Sequence, residues 1–174
     1  MKIRMKAVHI VYFFAFSILI FSNSCKKDNT SATPVFNSAK QATIDDSLLI
    51  NYFKENNLSD SVTKTASGLY YRITKPMPDS LPITNGRTVF VRYNLNFLDN
   101  TLVESNVDAA VAFQFIPGSS SVITAWQEGI PLFKKGEEGY IYSPSRLGYK
   151  NVVQSRIPAN SNLKFFIRIA NVEK

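Results

Sequence analysis

Histidine and cysteine, the side chains behind many kinds of enzyme chemistry, occur once each in this 174-residue sequence, as His9 and Cys25. A Ser/His/Asp triad needs an imidazole, a structural zinc site needs cysteine or histidine ligands, and a disulfide needs two cysteines. None of these can be built from residues 26 to 174. We therefore expect no metal and no cofactor, and any activity must rely on apolar shape and hydrogen bonds.

Cys25 ends a segment with the layout of an export signal. Three basic residues within the first six precede an uncharged apolar run, Ala7 to Phe21, and Ser22-Asn23-Ser24 leads into Cys25. The run is shorter than the roughly 20 residues of a membrane span. This arrangement resembles a bacterial lipoprotein site, in which the cysteine is lipidated and the signal is cut just before it, although Ser22 stands where the common pattern has Leu. We predict a signal peptide over 1–24, a lipid anchor at Cys25 and a place in the cell envelope, periplasmic or surface facing. An uncleaved anchor or simple secretion is the alternative.

Cleavage of this signal changes the charge of the chain. The precursor has a net charge of +7 from 20 basic and 13 acidic residues; loss of three basic residues leaves 17 against 13, a net charge of +4. No run of five or more like charges occurs, and the basic residues are scattered. We therefore expect no nucleic-acid partner.

The mature chain begins with a polar stretch and then one helix. Residues 25–40 predict a flexible tether, and 41–64 a helical segment with its helix over 43–57. Thr43 followed by Asp46 predicts the N-terminal cap, and Asn56-Asn57 the end. The apolar positions at helical spacing are Ile44, Leu48, Leu49, Tyr52 and Phe53. This stripe suits packing on the domain or on a second copy; we expect a monomer, because one four-turn helix buries little area for a dimer.

From residue 65 the apolar period changes from helix to strand. Tyr93 lies on the inward side of a strand, Val89 to Phe97, with a clean period of two, and Asp99-Asn100 predicts the turn that follows. Thr124 and Gln127 predict a capped short helix that carries Trp126. Four other strands are predicted over residues 69–74, 112–116, 139–143 and 163–172. The fold class is α+β: an antiparallel sheet of about five strands wrapped on one short helix, with an extra N-terminal helix.

Six sequence pieces in order carry a family resemblance. They are Ser67-Gly68-Leu69-Tyr70-Tyr71, Gly86-Arg87-Thr88-Val89-Phe90-Val91-Arg92-Tyr93, Leu98-Asp99-Asn100-Thr101, Val122-Ile123-Thr124-Ala125-Trp126-Gln127-Glu128-Gly129, Pro144-Ser145-Arg146-Leu147-Gly148-Tyr149 and Ile157-Pro158-Ala159-Asn160-Ser161-Asn162-Leu163. Over residues 65–174 the chain resembles FKBP-type peptidyl-prolyl cis-trans isomerases. With its signal, tether and helix it resembles exported bacterial FKBP lipoproteins, including those associated with gliding motility.

The resemblance implies a shallow aromatic pocket that takes proline-containing polypeptides. In it, the Ile123 N–H donates to the carbonyl before the proline, and the Tyr149 hydroxyl contacts a neighbouring carbonyl. The implied catalytic residues are Tyr93, Glu104, Ile123, Trp126, Tyr149 and Phe165, and the implied substrate-binding residues are Val103, Phe113, Val122 and Ile157. For these residues other than Val103 and Glu104, ordinary core packing is the alternative.

Several positions depart from the family pattern. Val103-Glu104 stands where most active members carry Phe-Asp, so an aromatic wall is missing and the carboxylate lies one methylene further out. Ala125 and Lys150 replace two glycines, and Ala109-Ala110 occupies a region that often carries a basic residue. We predict isomerase activity in the folding of exported or envelope proteins, at a reduced level. The alternative is a non-catalytic binding module or chaperone in an envelope assembly.

Overall fold

The computed structural model describes residues 37–173. The predicted signal, the lipidation site Cys25 and the tether as far as residue 36 lie outside this range. Within residues 37–173, no helix has the length and apolar character needed to cross a bilayer.

Helix α1, Ser38–Glu55, begins earlier than the sequence pattern predicted. Its N-cap is Asn37, whose side chain accepts a hydrogen bond from the Lys40 N–H at 2.9 Å. Thr43 does not cap the helix, because its hydroxyl donates back to the Ala39 carbonyl at 3.3 Å, as threonines inside helices often do. The predicted cap at Thr43 was therefore wrong, and Ser38 to Lys40 belong to the helix instead of the tether.

The C-terminus of α1 matches its prediction. Asn56 is the C-cap, and the next residue, Asn57, has a φ of 56°. Asparagine adopts this left-handed conformation more easily than most residues, which suits it to end a helix.

One face of α1 packs on the outer surface of the sheet. Leu49 and Phe53, one turn apart, are buried in a cluster with Tyr70 and Tyr142. The Phe53 ring meets the Tyr142 ring edge to face, with centroids 4.9 Å apart. This face therefore packs the helix on its own domain.

The sheet has seven antiparallel strands, two more than predicted. They are β1 (Thr63–Lys64), β2 (Tyr70–Lys75), β3 (Thr88–Asn96), β4 (Leu102–Ser105), β5 (Phe113–Phe115), β6 (Glu138–Ser143) and β7 (Leu163–Glu173). Their order is β1-β2-β6-β7-β3-β4, and β5 also pairs with β3. The additional strands, β1 and β4, have two and four residues. The predicted α+β class is confirmed.

The inner face of the sheet packs against helix α2, Thr124–Gly129, which continues into a 3₁₀ turn, Ile130–Leu132. The predicted capping box at its start is wrong: the N-cap position is Ile123, and no side chain caps the helix. The Gln127 side chain instead accepts from the Gly118 N–H at 2.9 Å and donates to the Ser120 carbonyl. Gln127 thus ties the loop before α2 to the helix.

Candidate active site

A cavity of about 390 Å³ lies between α2 and the inner face of the sheet. Its lining residues are Tyr93, Leu95, Glu104, Phe113, Ser121, Val122, Ile123, Trp126, Tyr149 and Phe165. Eight of the ten predicted site residues are among them. Leu95 and Ser121 were missed: Leu95 follows Tyr93 by two on the same strand face, which was a usable signal, whereas Ser121 lies in a loop with no pattern.

The floor of the cavity is Trp126 on α2. Four aromatic rings meet its indole edge to face: Tyr93 at 5.0 Å, Phe113 at 5.4 Å, Phe165 at 5.8 Å and Phe115 at 6.2 Å between centroids. Edge-to-face geometry is the favourable arrangement of aromatic pairs. The rings hold one another in place and give the cavity a rigid apolar floor.

A carboxylate and a phenol form the polar edge of the cavity. The Tyr93 hydroxyl donates to Glu104 Oε1 over 2.5 Å. The two side chains are brought together by the β3–β4 pairing, in which Leu95 lies opposite Glu104. With this bond made, the Tyr93 hydroxyl is oriented toward the carboxylate.

Val103 does not line the cavity, unlike the substrate-binding role predicted for it. The register of β3 and β4 shifts between Leu95 and Asn96, and Val103 is the extra residue of the resulting bulge. A bulge lets two successive residues face the same side of a sheet. Val103 is therefore buried in the core beside the inward-facing Glu104.

Ile157 also lies outside the cavity lining. It exchanges two backbone hydrogen bonds with Gln154, of 2.8 and 2.9 Å, in an isolated bridge. Its side chain is buried in the main hydrophobic core. This placement indicates that Ile157 packs in the core. It does not support the substrate-binding role that was predicted for Ile157.

Two residues that line the cavity, Ile123 and Tyr149, carry hydrogen-bond donors. Ile123, with φ −60° and ψ 152°, is extended at the start of α2, and its N–H donates to no group of residues 37–173. Tyr149 is half-buried and follows the 3₁₀ turn Ser145–Leu147. The structure thus leaves a free backbone donor and a phenol at the lining of one apolar cavity.

Lys150, directly after Tyr149, has the left-handed φ of 60° that glycine adopts without strain. Its side chain is exposed. We expect Lys150→Gly to raise the free energy of unfolding by up to about 1 kcal/mol, because relief of the 1–2 kcal/mol left-handed strain exceeds the added entropy of the unfolded chain. Urea unfolding measures the change. Lys150→Ala removes the side chain but keeps the strain, so an equal gain from it would contradict this explanation.

Burial raises the pKa of the Tyr93 hydroxyl, and the hydrogen bond and charge of Glu104 raise it further. Burial, and then the charge of Glu104, also raise the pKa of Tyr149. Both phenols therefore remain donors at pH values where free tyrosine, with a pKa of about 10, begins to ionise.

This shift predicts an alkaline loss of stability. Because the tyrosine pKa is higher in the folded state than in the unfolded state, the stabilisation is complete below about pH 10 and is lost as the pH rises toward the folded-state pKa. Urea unfolding at pH 8, 10 and 11 should show a falling free energy of unfolding. Tyr93→Phe should make this fall smaller; an identical fall in the variant would contradict the assignment to Tyr93.

A curved antiparallel sheet around a short helix, with an aromatic cavity between them, defines the class of FKBP-type isomerase domains. Residues 80–170 match the family model described as FKBP-type peptidyl-prolyl cis-trans isomerase. The chain therefore belongs to this family.

Particular relatives share the name FkpA. The chain is 35% identical over 124 residues to a probable FKBP-type peptidyl-prolyl cis-trans isomerase FkpA of Neisseria meningitidis serogroup B, covering 70% of this chain and 44% of that protein. It is 31% identical over 123 residues to FkpA of Aeromonas hydrophila, covering 71% and 45%. The chain thus spans less than half the length of these curated relatives. The crystal structure of FkpA from Escherichia coli has the same fold, with a TM-score of 0.63 and 23% identity over 78% of this chain and 63% of that one.

Proposed function

We propose that this protein catalyses cis-trans isomerisation of X-Pro peptide bonds in exported or envelope polypeptides, with reduced activity. The observation that carries the proposal is the Trp126 cavity, which combines a rigid aromatic floor with the free Ile123 N–H at its lining. Family membership and the similarity to FkpA proteins support the same function.

Catalysis in such a cavity requires no bond between enzyme and substrate. The barrier to rotation about the peptide bond is about 18–20 kcal/mol and arises from amide resonance, which places negative charge on the carbonyl oxygen. The twisted amide has less of this charge separation, so an apolar cavity favours it over the planar amide relative to water. The donors at Ile123 and Tyr149 then fix the carbonyls on either side of the rotating bond.

The wall beside Glu104 supports the proposal of a reduced activity. Position 103 is a valine that is buried in the core, so the cavity has no aromatic side chain from this position. Glu104 is engaged by Tyr93, which holds the carboxylate at the edge of the cavity. A proline ring would therefore be enclosed on fewer sides.

The test is the rate of cis-to-trans isomerisation of a short X-Pro peptide. We expect the wild-type protein to exceed the uncatalysed rate, and Tyr149→Phe to lower kcat/KM about two- to fivefold, because only one positioning hydrogen bond is lost. The E. coli FkpA protein, measured on the same peptide, serves as the reference for reduced activity. A wild-type rate equal to the uncatalysed rate would exclude the enzyme function.

The alternative function is a non-catalytic binding module or chaperone. Three apolar side chains close in sequence to the lining residues Phe113 and Tyr149 are exposed to solvent: Val111 by 72%, Val152 by 56% and Val153 by 67%. Such side chains suit contact with apolar polypeptide segments. Suppression of aggregation of a proline-free client, together with no acceleration of the X-Pro peptide, would favour this function.

We also propose that the protein is a lipoprotein of the cell envelope, anchored through Cys25 and similar to the gliding-motility-associated type. The support is the sequence layout of residues 1–25. In cell fractionation, Cys25→Ser should move the protein from the membrane to the soluble fraction, because the variant has no thiol for a lipid. Membrane retention of the variant would favour the uncleaved anchor.

A further inference from the structure

A buried carboxylate on α1 contacts the loop that carries Tyr149. Asp45 has no solvent exposure. Its Oδ2 accepts from the Ser145 N–H at 2.9 Å and from the Ser145 hydroxyl at 2.6 Å, and its Oδ1 accepts from Gln41 Nε2 at 2.8 Å. No cation pairs with Asp45 among residues 37–173. The three hydrogen bonds to its two oxygens therefore compensate the free-energy cost of burying the Asp45 carboxylate. Since this compensation needs Ser145 in place, it fixes how α1 docks on the domain.

Ser145 connects the Asp45 carboxylate to the backbone on either side of Tyr149. While its N–H and hydroxyl are held by Asp45, its carbonyl accepts from the Gly148 N–H at 3.0 Å and from the Lys150 N–H at 2.8 Å. These two donors flank Tyr149 on either side. The position of the Tyr149 backbone is thus tied through one residue to a carboxylate on α1.

Asn162 provides a second connection between Asp45 and the loop that carries Tyr149. The Asn162 side chain donates to the Asp45 carbonyl at 3.1 Å and accepts from the Ser145 N–H at 3.2 Å. The Lys150 carbonyl accepts from the Asn160 N–H at 2.8 Å. Asp45 therefore lies at the centre of the hydrogen bonds that shape both ends of the loop beside the cavity.

We propose that Asp45 is a positioning residue for the isomerase site, which makes α1 part of the functional site through Ser145 and Tyr149. This inference rests on the proposed function, because it assigns Tyr149 a role toward substrate. Without the Asp45 carboxylate, the Ser145 hydroxyl loses its acceptor and the Ser145 N–H keeps only the Asn162 side chain, so the backbone on either side of Tyr149 is held by fewer hydrogen bonds.

Asp45→Ala and a double-mutant cycle with Tyr149→Phe test the proposal. We expect Asp45→Ala to lower kcat/KM on an X-Pro peptide by about fivefold in the wild-type background, and by less than about twofold when residue 149 is already Phe, because coupled residues are not additive. Asp45→Asn should keep most of the activity, since the Asn oxygen can accept from Ser145 and its amide can face a rotated Gln41 side chain. An equal loss from Asp45→Ala in both backgrounds would overturn the proposal.

Leu49→Ala is the matched control for stability. Leu49 lies one turn after Asp45, is equally buried and has no contact with Ser145 through a hydrogen bond. We expect it to lower the free energy of unfolding while leaving kcat/KM unchanged at a temperature where the variants are fully folded. The same loss of activity from Leu49→Ala would show that any loosening of α1 has this effect, and would overturn the specific role of Asp45.

The backbone amide signals of residues 148–150 in NMR spectra separate this inference from the proposed function. Asp45→Ala should shift or broaden them and Leu49→Ala should not, whether or not the wild-type protein is an active isomerase. If the wild-type protein is inactive but the signals change in Asp45→Ala and not in Leu49→Ala, the proposed function is wrong and the connection between Asp45 and the Tyr149 loop is supported. Unchanged signals in Asp45→Ala would contradict the positioning role of Asp45 even if the protein is active.

Discussion

Replacement of Trp126 by alanine is expected to lower kcat/KM for an X-Pro peptide by about tenfold or more. The indole is the floor of the cavity, and four aromatic rings, including those of Tyr93 and Phe165, are oriented by their edge contacts with it. Without it, the cavity deepens and the rings lose their partner, so the apolar surface no longer fits a proline ring. A protease-free fluorescence or NMR assay of peptide isomerisation measures the loss.

Stability must be separated from activity in this variant, since truncation of a buried aromatic side chain costs about 3–5 kcal/mol. Phe53→Ala is the matched control: Phe53 is equally buried but lies in the separate cluster between α1 and the outer face of the sheet. We expect Phe53→Ala to lose similar stability and to keep its activity when folded. Trp126→Phe retains an aromatic floor and should fall between the wild-type protein and Trp126→Ala. A folded Trp126→Ala protein with the wild-type rate would exclude this cavity as the site of catalysis.

Much of the cavity could be predicted because strand periodicity and the family resemblance point to the same side chains. The clean alternation of β3 places Tyr93 on the inner face, and the short helix between strands places Trp126 opposite to it. Local pattern and tertiary packing agree at these positions, so sequence reasoning finds them.

The predictions that failed concern helix caps and a β-bulge, which the spacing of apolar residues along the chain does not specify. The family resemblance assigned Val103 to substrate binding without a predicted strand at this position, and the bulge in β4 leaves Val103 buried in the core. Thr43 and Thr124 looked like caps, but Asn37 caps α1, and Gln127 bonds to the loop before α2. Asn37 takes the capping role that the sequence pattern gave to Thr43, and no side chain caps α2; the tertiary arrangement decides both outcomes.

The hydrogen bonds between Asp45 and Ser145 could not be predicted from the sequence either. The two residues are 100 positions apart. An aspartate within an amphipathic helix pattern ordinarily indicates the solvent-exposed face. Its burial follows only from the docking of α1 against the loop at the end of β6, which no local signal specifies.

Gly139→Ala should lower the free energy of unfolding by more than about 3 kcal/mol. Gly139 lies within β6, paired with Ile73 on β2 and Ile167 on β7. A Cβ at this position would lie 2.1 Å from the Arg72 carbonyl oxygen and 2.9 Å from a ring carbon of Phe133. Because the first contact is with backbone in a paired strand, neither side can yield without breaking hydrogen bonds between β2 and β6.

Gly129→Ala separates this steric effect from the general cost of filling space in the core. At Gly129 the added Cβ would lie 2.6 Å from the Cδ1 atom of Ile141, the end of a side chain that can move, and alanine has the better helix propensity in α2. We therefore expect Gly129→Ala to retain a cooperative unfolding transition at a moderately lower urea concentration, while Gly139→Ala is largely unfolded or insoluble. Circular dichroism during urea unfolding distinguishes them. Equal stability of the two variants would mean that β2 and β6 can separate at Gly139 without cost, contrary to the close packing of these central strands.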